Sequence, residues 1–350
     1  MRHAIYLDHA ATTPLLPHAR AQMLCGFDLW ANPSSPHAPG RSARAALEDA
    51  RARIAAALGW DGEVILTSGA SEALAIALTR AAVDRRIISA VEHEAVFRAA
   101  PDAAVAPIRD GLVDGDALAA LLDGPGRALV AVQATNSETG GYLMHVAPNP
   151  VVQITHAAGG LVLCDDSQMG IGRSLPAGVD MAVISGHKIG GPIGIGALLV
   201  RDLAMLHPTG GQERGYRPGT ENLPGALGLA AALEDGHSCW QTTITDRHAF
   251  AERLARQGVL LGGEDRADHI IAIASPRFDA RALLIRLDAM GFAVSAGSAC
   301  SSGSLKPSRV LQGFGIDPDV ARRTIRVSLG WSSTVAELDA FADAWERLHA

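Results

Sequence analysis

A lysine and a cysteine in this 350-residue chain stand in surroundings suited to covalent chemistry. Lys188 follows directly on the apolar run 181–185 and precedes a glycine-rich stretch ending at Gly196. A lysine at the mouth of a sheet loses hydration, its pKa falls, and the neutral amine becomes a Schiff-base nucleophile. An ordinary surface lysine is the plainer alternative, and it fits poorly where lysines are few, arginines many and the neighbours small. Cys300 lies in Ser295-Ala-Gly-Ser-Ala-Cys-Ser-Ser-Gly-Ser304, whose glycines and serines predict a loop rather than core. A cysteine in apolar core is a small hydrophobe; one in an accessible loop is a candidate nucleophile. The other cysteines read as structural. Cys164 sits inside an apolar run, and Cys25 and Cys239 lack acid–base neighbours.

A lysine Schiff base with pyridoxal phosphate needs an acid beside the pyridine nitrogen, keeping it protonated so that the ring can accept electrons. Asp165, at the end of the run 161–164, has that chemistry, and Asp166 is its rival; for either, a helix N-cap is an equally good reading. The cofactor also needs a phosphate cradle, and Thr67-Ser-Gly-Ala-Ser71, between a strand and a helix, offers N–H groups and hydroxyls. Taken alone that signal is weak. His93, in Val91-Glu-His-Glu-Ala-Val-Phe97, is no zinc-protease motif, because Phe97 stands where the second histidine belongs. It could stack on a ring and move protons, or be a plain polar loop residue. The 13 histidines show no ligand spacing, so no metal site is expected.

The elements that must position these groups read as an α/β fold. Strand-like runs at 63–67, 86–90, 128–134, 161–164, 181–185 and 196–201 alternate with helical stretches such as 72–82, which implies an open, mostly parallel sheet. The reactive residues fall just past strand ends, where such sheets bind ligands. After about Ala226 come helical stretches at 247–257 and 280–290 and strands at 270–274 and 324–329. The expected division is a large domain over 14–226 and a small α+β domain of 1–13 with 227–350. With 48% hydrophobic residues the chain can bury a large core, and a net charge of −7 argues against a nucleic-acid partner. No signal peptide and no apolar run near the ~20 residues of a membrane span is seen, so a cytoplasmic protein without a membrane partner is expected.

Together these motifs resemble the NifS/IscS family of cysteine desulfurases, in the class V aminotransferase-like group of pyridoxal-phosphate enzymes of fold type I. The resemblance covers nearly the whole chain. It runs through Ile5-Tyr-Leu-Asp-His-Ala-Ala-Thr-Thr-Pro14, Asn32-Pro-Ser-Ser35, Thr67-Ser-Gly-Ala-Ser-Glu72, Glu92-His93 and Asn136-Ser-Glu-Thr-Gly140. It continues in Ser185-Gly-His-Lys188, Gly210-Gly-Gln-Glu-Arg-Gly215, Gly219-Thr220, Gly297-Ser-Ala-Cys-Ser301 and Ile325-Arg326. It implies that Lys188 carries the cofactor, Asp165 pairs with the pyridine nitrogen, His93 stacks on the ring and Gln168 bonds the phenolic oxygen. Ala70, Ser71, Ser185 and His187 hold the phosphate, and Thr220 reaches the phosphate of a second subunit, which implies a homodimer with shared active sites. Arg326 takes the carboxylate of L-cysteine in a bidentate pair, with Asn32 as a further substrate contact.

The implied reaction converts L-cysteine to L-alanine. Lys188 moves the Cα proton, and the Cys300 thiolate takes the sulfur as a persulfide for an acceptor protein such as an Fe–S scaffold. Two departures stand out. Ser137 replaces the second asparagine of the family's Asn-Asn-Glu motif, a cofactor-binding position, and the long C-terminal tail that helps dock a scaffold is missing. Another class V enzyme, an aminotransferase or a selenocysteine or cysteine-sulfinate lyase, is the alternative that keeps the cofactor but leaves Cys300 idle. A catalytically quiet scaffold is the alternative of a different class.

Overall fold

The structure is a computed structural model that describes residues 4–144, 148–170, 174–297 and 308–350. Cys300 lies outside them. Seven strands form the central sheet, in the order Glu63–Thr67, Gly196–Val200, Met181–Ser185, Leu161–Asp165, Ala128–Gln133, Arg85–Ser89, Ala104–Ala106. Gly196–Val200 runs antiparallel to both its neighbours, and the other pairs are parallel. Period-two alternation sends Val64, Val130, Val162, Cys164, Ile184 and Leu199 to one core. Ile65, Leu129, Leu163, Val183 and Leu198 go to the core on the other face. With both faces covered, these strands carry apolar residues throughout, as parallel sheets require.

Helix starts differ from the sequence reading by a few residues, and each has a local cause. The helix expected from Glu72 begins at Ala70, straight after Gly69, whose φ of +152° suits glycine alone. A helix that spans the expected boundary at Ala226 runs Leu223–Asp235, capped by the Asn222 side chain, with Pro224 in its first turn. The helix expected from Arg247 starts at Ile244 behind a Thr243–Asp246 capping box. Cap residues lie outside the apolar periodicity, so the periodicity alone begins each helix late.

A separate antiparallel sheet is ordered Val259–Leu260, Ile270–Ala274, Thr324–Ser328, Ser295–Ala296, and it packs on its own core around Phe341 and Trp345. The N-terminal strand Ile5–Tyr6 pairs with Phe292–Ala293, and Asp8 bridges to Ser328. The division expected at 226/227 falls inside the helix Leu223–Asp235, whose residues join the large core against the helices Pro17–Asp28 and Ala38–Leu58. We propose that the change of domain comes after Asp235.

A buried ion pair ties the loop 210–220 to the large core. Arg51 forms a two-pronged bond to the Glu213 carboxylate, Nη2 to Oε1 at 2.9 Å, and Glu213 Oε2 also accepts the Leu66 N–H at 2.8 Å. To reach it, Glu213 adopts a left-handed backbone with φ of +48°. Removing one partner of such a pair strands a charge in the core. Arg51→Ala is expected to lose about 3–5 kcal/mol in urea denaturation, and Arg51→Met combined with Glu213→Leu to lose much less. Equal losses in the two proteins would contradict this.

Candidate active site

A cavity of about 700 Å³ opens at the carboxyl edge of the central sheet. Gln133, Asp165 and Ser185, the last residues of three neighbouring parallel strands, line it. Gly196 begins the antiparallel strand between Thr67 and Ser185. A Cβ on Gly196 would stand 2.7 Å from the Gly69 Cα, so only glycine lets the turn at Ser68 and Gly69 fold down onto the strand. From that turn the helix Ala70–Arg80 points its first N–H groups, which have no intrahelical acceptors, toward the cavity wall. Ala70, Ser71, Ser185 and His187 all border the cavity there, an anion-binding arrangement.

Lys188 ends the short 3-10 turn Gly186–Lys188 that follows the strand Met181–Ser185. Burial pushes its ammonium below the ordinary lysine range; Asp165 partly offsets this and Arg326 adds to it. Asp165 is buried, and its Oδ1 accepts from the backbone N–H of Ser167 at 3.0 Å and from the Ser167 hydroxyl. Of the two rival aspartates, Asp165 borders the cavity and Asp166 does not. Gln168 borders it too, held by its Nε2 donating to the Ala10 carbonyl at 3.0 Å.

His93 caps the helix Glu94–Ala99, its Nδ1 accepting the Ala95 N–H at 3.2 Å. The neutral ring therefore carries its proton on Nε2. Burial first and the nearby Lys188 second push its pKa down. His187 is pushed down by the same two causes, and Thr12 Oγ1 contacts its ring at 3.2 Å.

The separate antiparallel sheet supplies the opposite wall. Arg326 Nη2 donates to Asp8 at 2.8 Å and Nη1 to the Ser137 carbonyl at 2.8 Å, while Nε is buried without a partner among the described residues. The guanidinium faces the cavity with both terminal nitrogens already engaged. Ser137 borders the cavity, and Asn136 beneath it is fully buried. Asn136 Oδ1 accepts from Glu138 N–H, Thr139 N–H and Thr139 Oγ1 at 3.0, 2.8 and 3.0 Å and so shapes the turn. Gly297 and Arg309, on either side of the segment that carries Cys300, both line the cavity.

Two expected residues are not brought to this cavity by a single chain. Asn32 is exposed and uses its Oδ1 to cap the Ser34 N–H at 2.9 Å, and Thr220 stands exposed on the loop 210–220. The structural reading of Cys25 is corrected: it lies on the outer face of the helix Pro17–Asp28 with its thiol exposed. A twelve-residue helix covered on one side leaves such a position in water. Burial holds the Cys164 thiol well up and raises that of Cys239 to about 11, so neither is a thiolate near neutrality. Asp8, Glu92, Gln133 and Glu138 had no role in the sequence reading. Their motifs were legible, but their partners lie on other elements.

The class-V aminotransferase family model matches residues 5–341. A cysteine desulfurase of Frankia sp. is 38% identical over 97% of this chain and 90% of its own length. An IscS-like cysteine desulfurase of Mycobacterium tuberculosis is 35% identical over 96% of this chain and 93% of its own. Among solved structures, a NifS-like protein from Rickettsia africae superposes with a TM-score of 0.86 at 30% identity, covering 99% of both chains. A structure of SspA in complex with cysteine superposes at 0.79 with 27% identity, covering 93% of this chain and 98% of that one. The mostly parallel sheet with its strand-end lysine and these full-length likenesses lead to one conclusion: the chain belongs to the class-V aminotransferase family, among its NifS/IscS-like cysteine desulfurases.

Proposed function

We infer that the chain is a pyridoxal-phosphate-dependent cysteine desulfurase that turns L-cysteine and the Cys300 thiol into L-alanine and a Cys300 persulfide. The observation that carries this reading is the convergence of the Lys188 amine, the Asp165 carboxylate and the His93 imidazole on one strand-end cavity beside a helix N-terminus. The residues fit the cofactor chemically. A lysine with a lowered pKa suits a Schiff base, a buried carboxylate suits a pyridinium, and the turn before Ala70 suits a phosphate.

When bound, pyridoxal phosphate supplies the electron sink for the pair released at the substrate Cα. The protein supplies the rest. The Lys188 amine takes the Cα proton, and burial shifts its pKa in the direction that favours the neutral amine. Asp165 would hold a proton at the pyridine nitrogen, and His93 would lie against the ring with Nε2–H as a donor. Ala70, Ser71, Ser185 and His187 would hold the phosphate, and Gln168 and Ser137 would bond the phenolic oxygen. Arg326 would orient the substrate carboxylate through the second N–H that each of its terminal nitrogens still carries. The Cys300 thiolate then attacks the substrate sulfur: the S–S bond forms, the C–S bond breaks with its pair left on Cβ, and protonation at Cβ and return of the Lys188 proton to Cα give alanine. The persulfide sulfur passes to an acceptor protein, for which Fe–S cluster assembly is the proposed destination.

A homodimer with shared sites accounts for the two residues that stand away from the cavity. Ile193, on the cavity rim, is 81% exposed, and Trp30, stacked on Phe27, is 79% exposed. Such apolar groups favour cover by a second copy, which would bring Thr220 and Asn32 to the partner's cavity. No helix among the described residues is long and apolar enough to cross a membrane.

Lys188→Ala is expected to remove the visible band of the lysine-bound cofactor and to slow alanine formation on the order of a thousandfold or more. Cys300→Ala should keep the band and stop reductant-dependent sulfide release; continued release would rule out the persulfide route. Alanine formed without a keto acid acceptor separates this activity from transamination. In sedimentation, Trp30→Asp should shift the dimer toward monomer and weaken cofactor retention. A variant that stays dimeric with full retention would remove the patch from the interface.

A further inference from the structure

Glu92 closes the carboxyl edge of the sheet between the strands Arg85–Ser89 and Ala128–Gln133. Its side chain is 0% exposed, yet it belongs to the wall of the active-site cavity. Oε1 accepts from Ser89 Oγ at 2.5 Å and from the Gln133 N–H at 2.9 Å. Oε2 has no hydrogen-bond partner among the described residues. Oε1 is thus committed to the strand ends, and Oε2 is the buried oxygen of this cavity-wall residue that has no such commitment.

The charges around it do not support an anion. Asp165 and Cys164 approach from the strand Leu161–Asp165, the first adding negative charge. His93 is the next residue in the chain, and Lys188 acts on His93 and Asp165 rather than on Glu92. Arg309, from the helix Arg309–Gly313, reaches the Glu92 backbone carbonyl at 3.4 Å and forms its ion pair with Glu94 instead. A fully buried carboxylate without a cationic partner and beside a second carboxylate is strongly disfavoured. Burial accordingly raises the Glu92 carboxyl to about 8; the Ser89 hydrogen bond works against the rise and Asp165 works with it.

We propose that Glu92 is a positioning residue of this site, carried as a neutral acid that offers an Oε2–H donor to the cavity and leaves Asp165 as the ionised member of the pair. This rests on the cofactor reading given above. Of two carboxyl groups bordering one cavity, the one that is fully buried and has no cationic partner is the one that keeps the proton. Asp165 then retains its charge for the pyridine nitrogen, and the Glu92 hydroxyl is available either to the Asp165 carboxylate or to the bound ring.

The test compares the full-length wild type with Glu92→Gln and Glu92→Ala, cofactor-free and loaded with pyridoxal phosphate. Gln can accept the same two hydrogen bonds and still donate into the cavity, but it has no proton to lose. A folded carboxyl with a raised pKa contributes stability that is complete below its unfolded pKa and is lost as pH rises through about 8. The cofactor-free wild type should therefore lose roughly 5 °C in melting temperature relative to Glu92→Gln between pH 5 and pH 9. At pH 7 the affinity for pyridoxal phosphate should fall by less than about threefold in Glu92→Gln and more than about tenfold in Glu92→Ala.

Parallel melting curves, or Glu92→Gln binding as poorly as Glu92→Ala, would overturn the proposal. Should Glu92→Ala not fold, Glu92→Met, which also lacks the donor, replaces it. Failure of the wild type to hold pyridoxal phosphate would sink the cofactor reading and the positioning role with it, while the cofactor-free melting curves would still decide where the proton is.

Discussion

The Lys188 amine and the Asp165 carboxylate stand at the ends of neighbouring strands in a sheet covered on both faces, and both border the active-site cavity. Burying either alone would be costly, and the rest of the site follows from that cost. The ammonium is weakened by burial and by Arg326 and partly supported by Asp165. The carboxylate is held by the Ser167 backbone and hydroxyl. A lysine whose pKa is lowered and a hydrogen-bonded carboxyl one strand away are the two groups that amine chemistry on a pyridinium ring needs.

That arrangement requires the small domain to face the sheet edge closely. The contact runs through Asp8, which accepts from Arg326 at 2.8 Å and from Ser295 at 2.8 Å, and through Arg326 onto the Ser137 carbonyl. The N-terminal strand thus belongs structurally to the C-terminal part of the chain, and the pairing of Ile5–Tyr6 with Phe292–Ala293 holds it there. Arg326 is therefore a pre-oriented group: its plane is fixed before any substrate arrives. Glu138 plays a comparable part at the segment that carries Cys300, accepting from Ser308 at 2.6 Å while leaving no room for a side chain at Gly297. Both anchors of that segment meet one buried carboxyl.

Two ion pairs tether the loop 210–220 to the rest of the chain. Glu213 is drawn inward by Arg51 and the Leu66 N–H, while Arg217 pairs with Glu72 at the start of the cradle helix. Thr220 is left exposed at the end of a firmly tethered loop. Rigid tethering with an exposed tip suits a residue that serves a neighbouring copy, because little ordering remains to be done on association.

Element types and the lysine were legible in the sequence because they depend on short-range pattern. Apolar runs of strand length, glycines after Ser185 and motif order identified the sheet, Lys188 and the family. Helix starts slipped where caps such as Asn222 and Thr243 lie outside the periodicity. The tertiary structure decided what depends on burial and on through-space partners. It turned Asp165 rather than Asp166 to the cavity, engaged Arg326 with a residue 318 positions away, left Asn32 and Thr220 outside one chain's site, and exposed Cys25. It also buried Glu92 without a cation. Periodicity reports which face a residue takes; only the folded chain sets which charges share that face and how much water they keep.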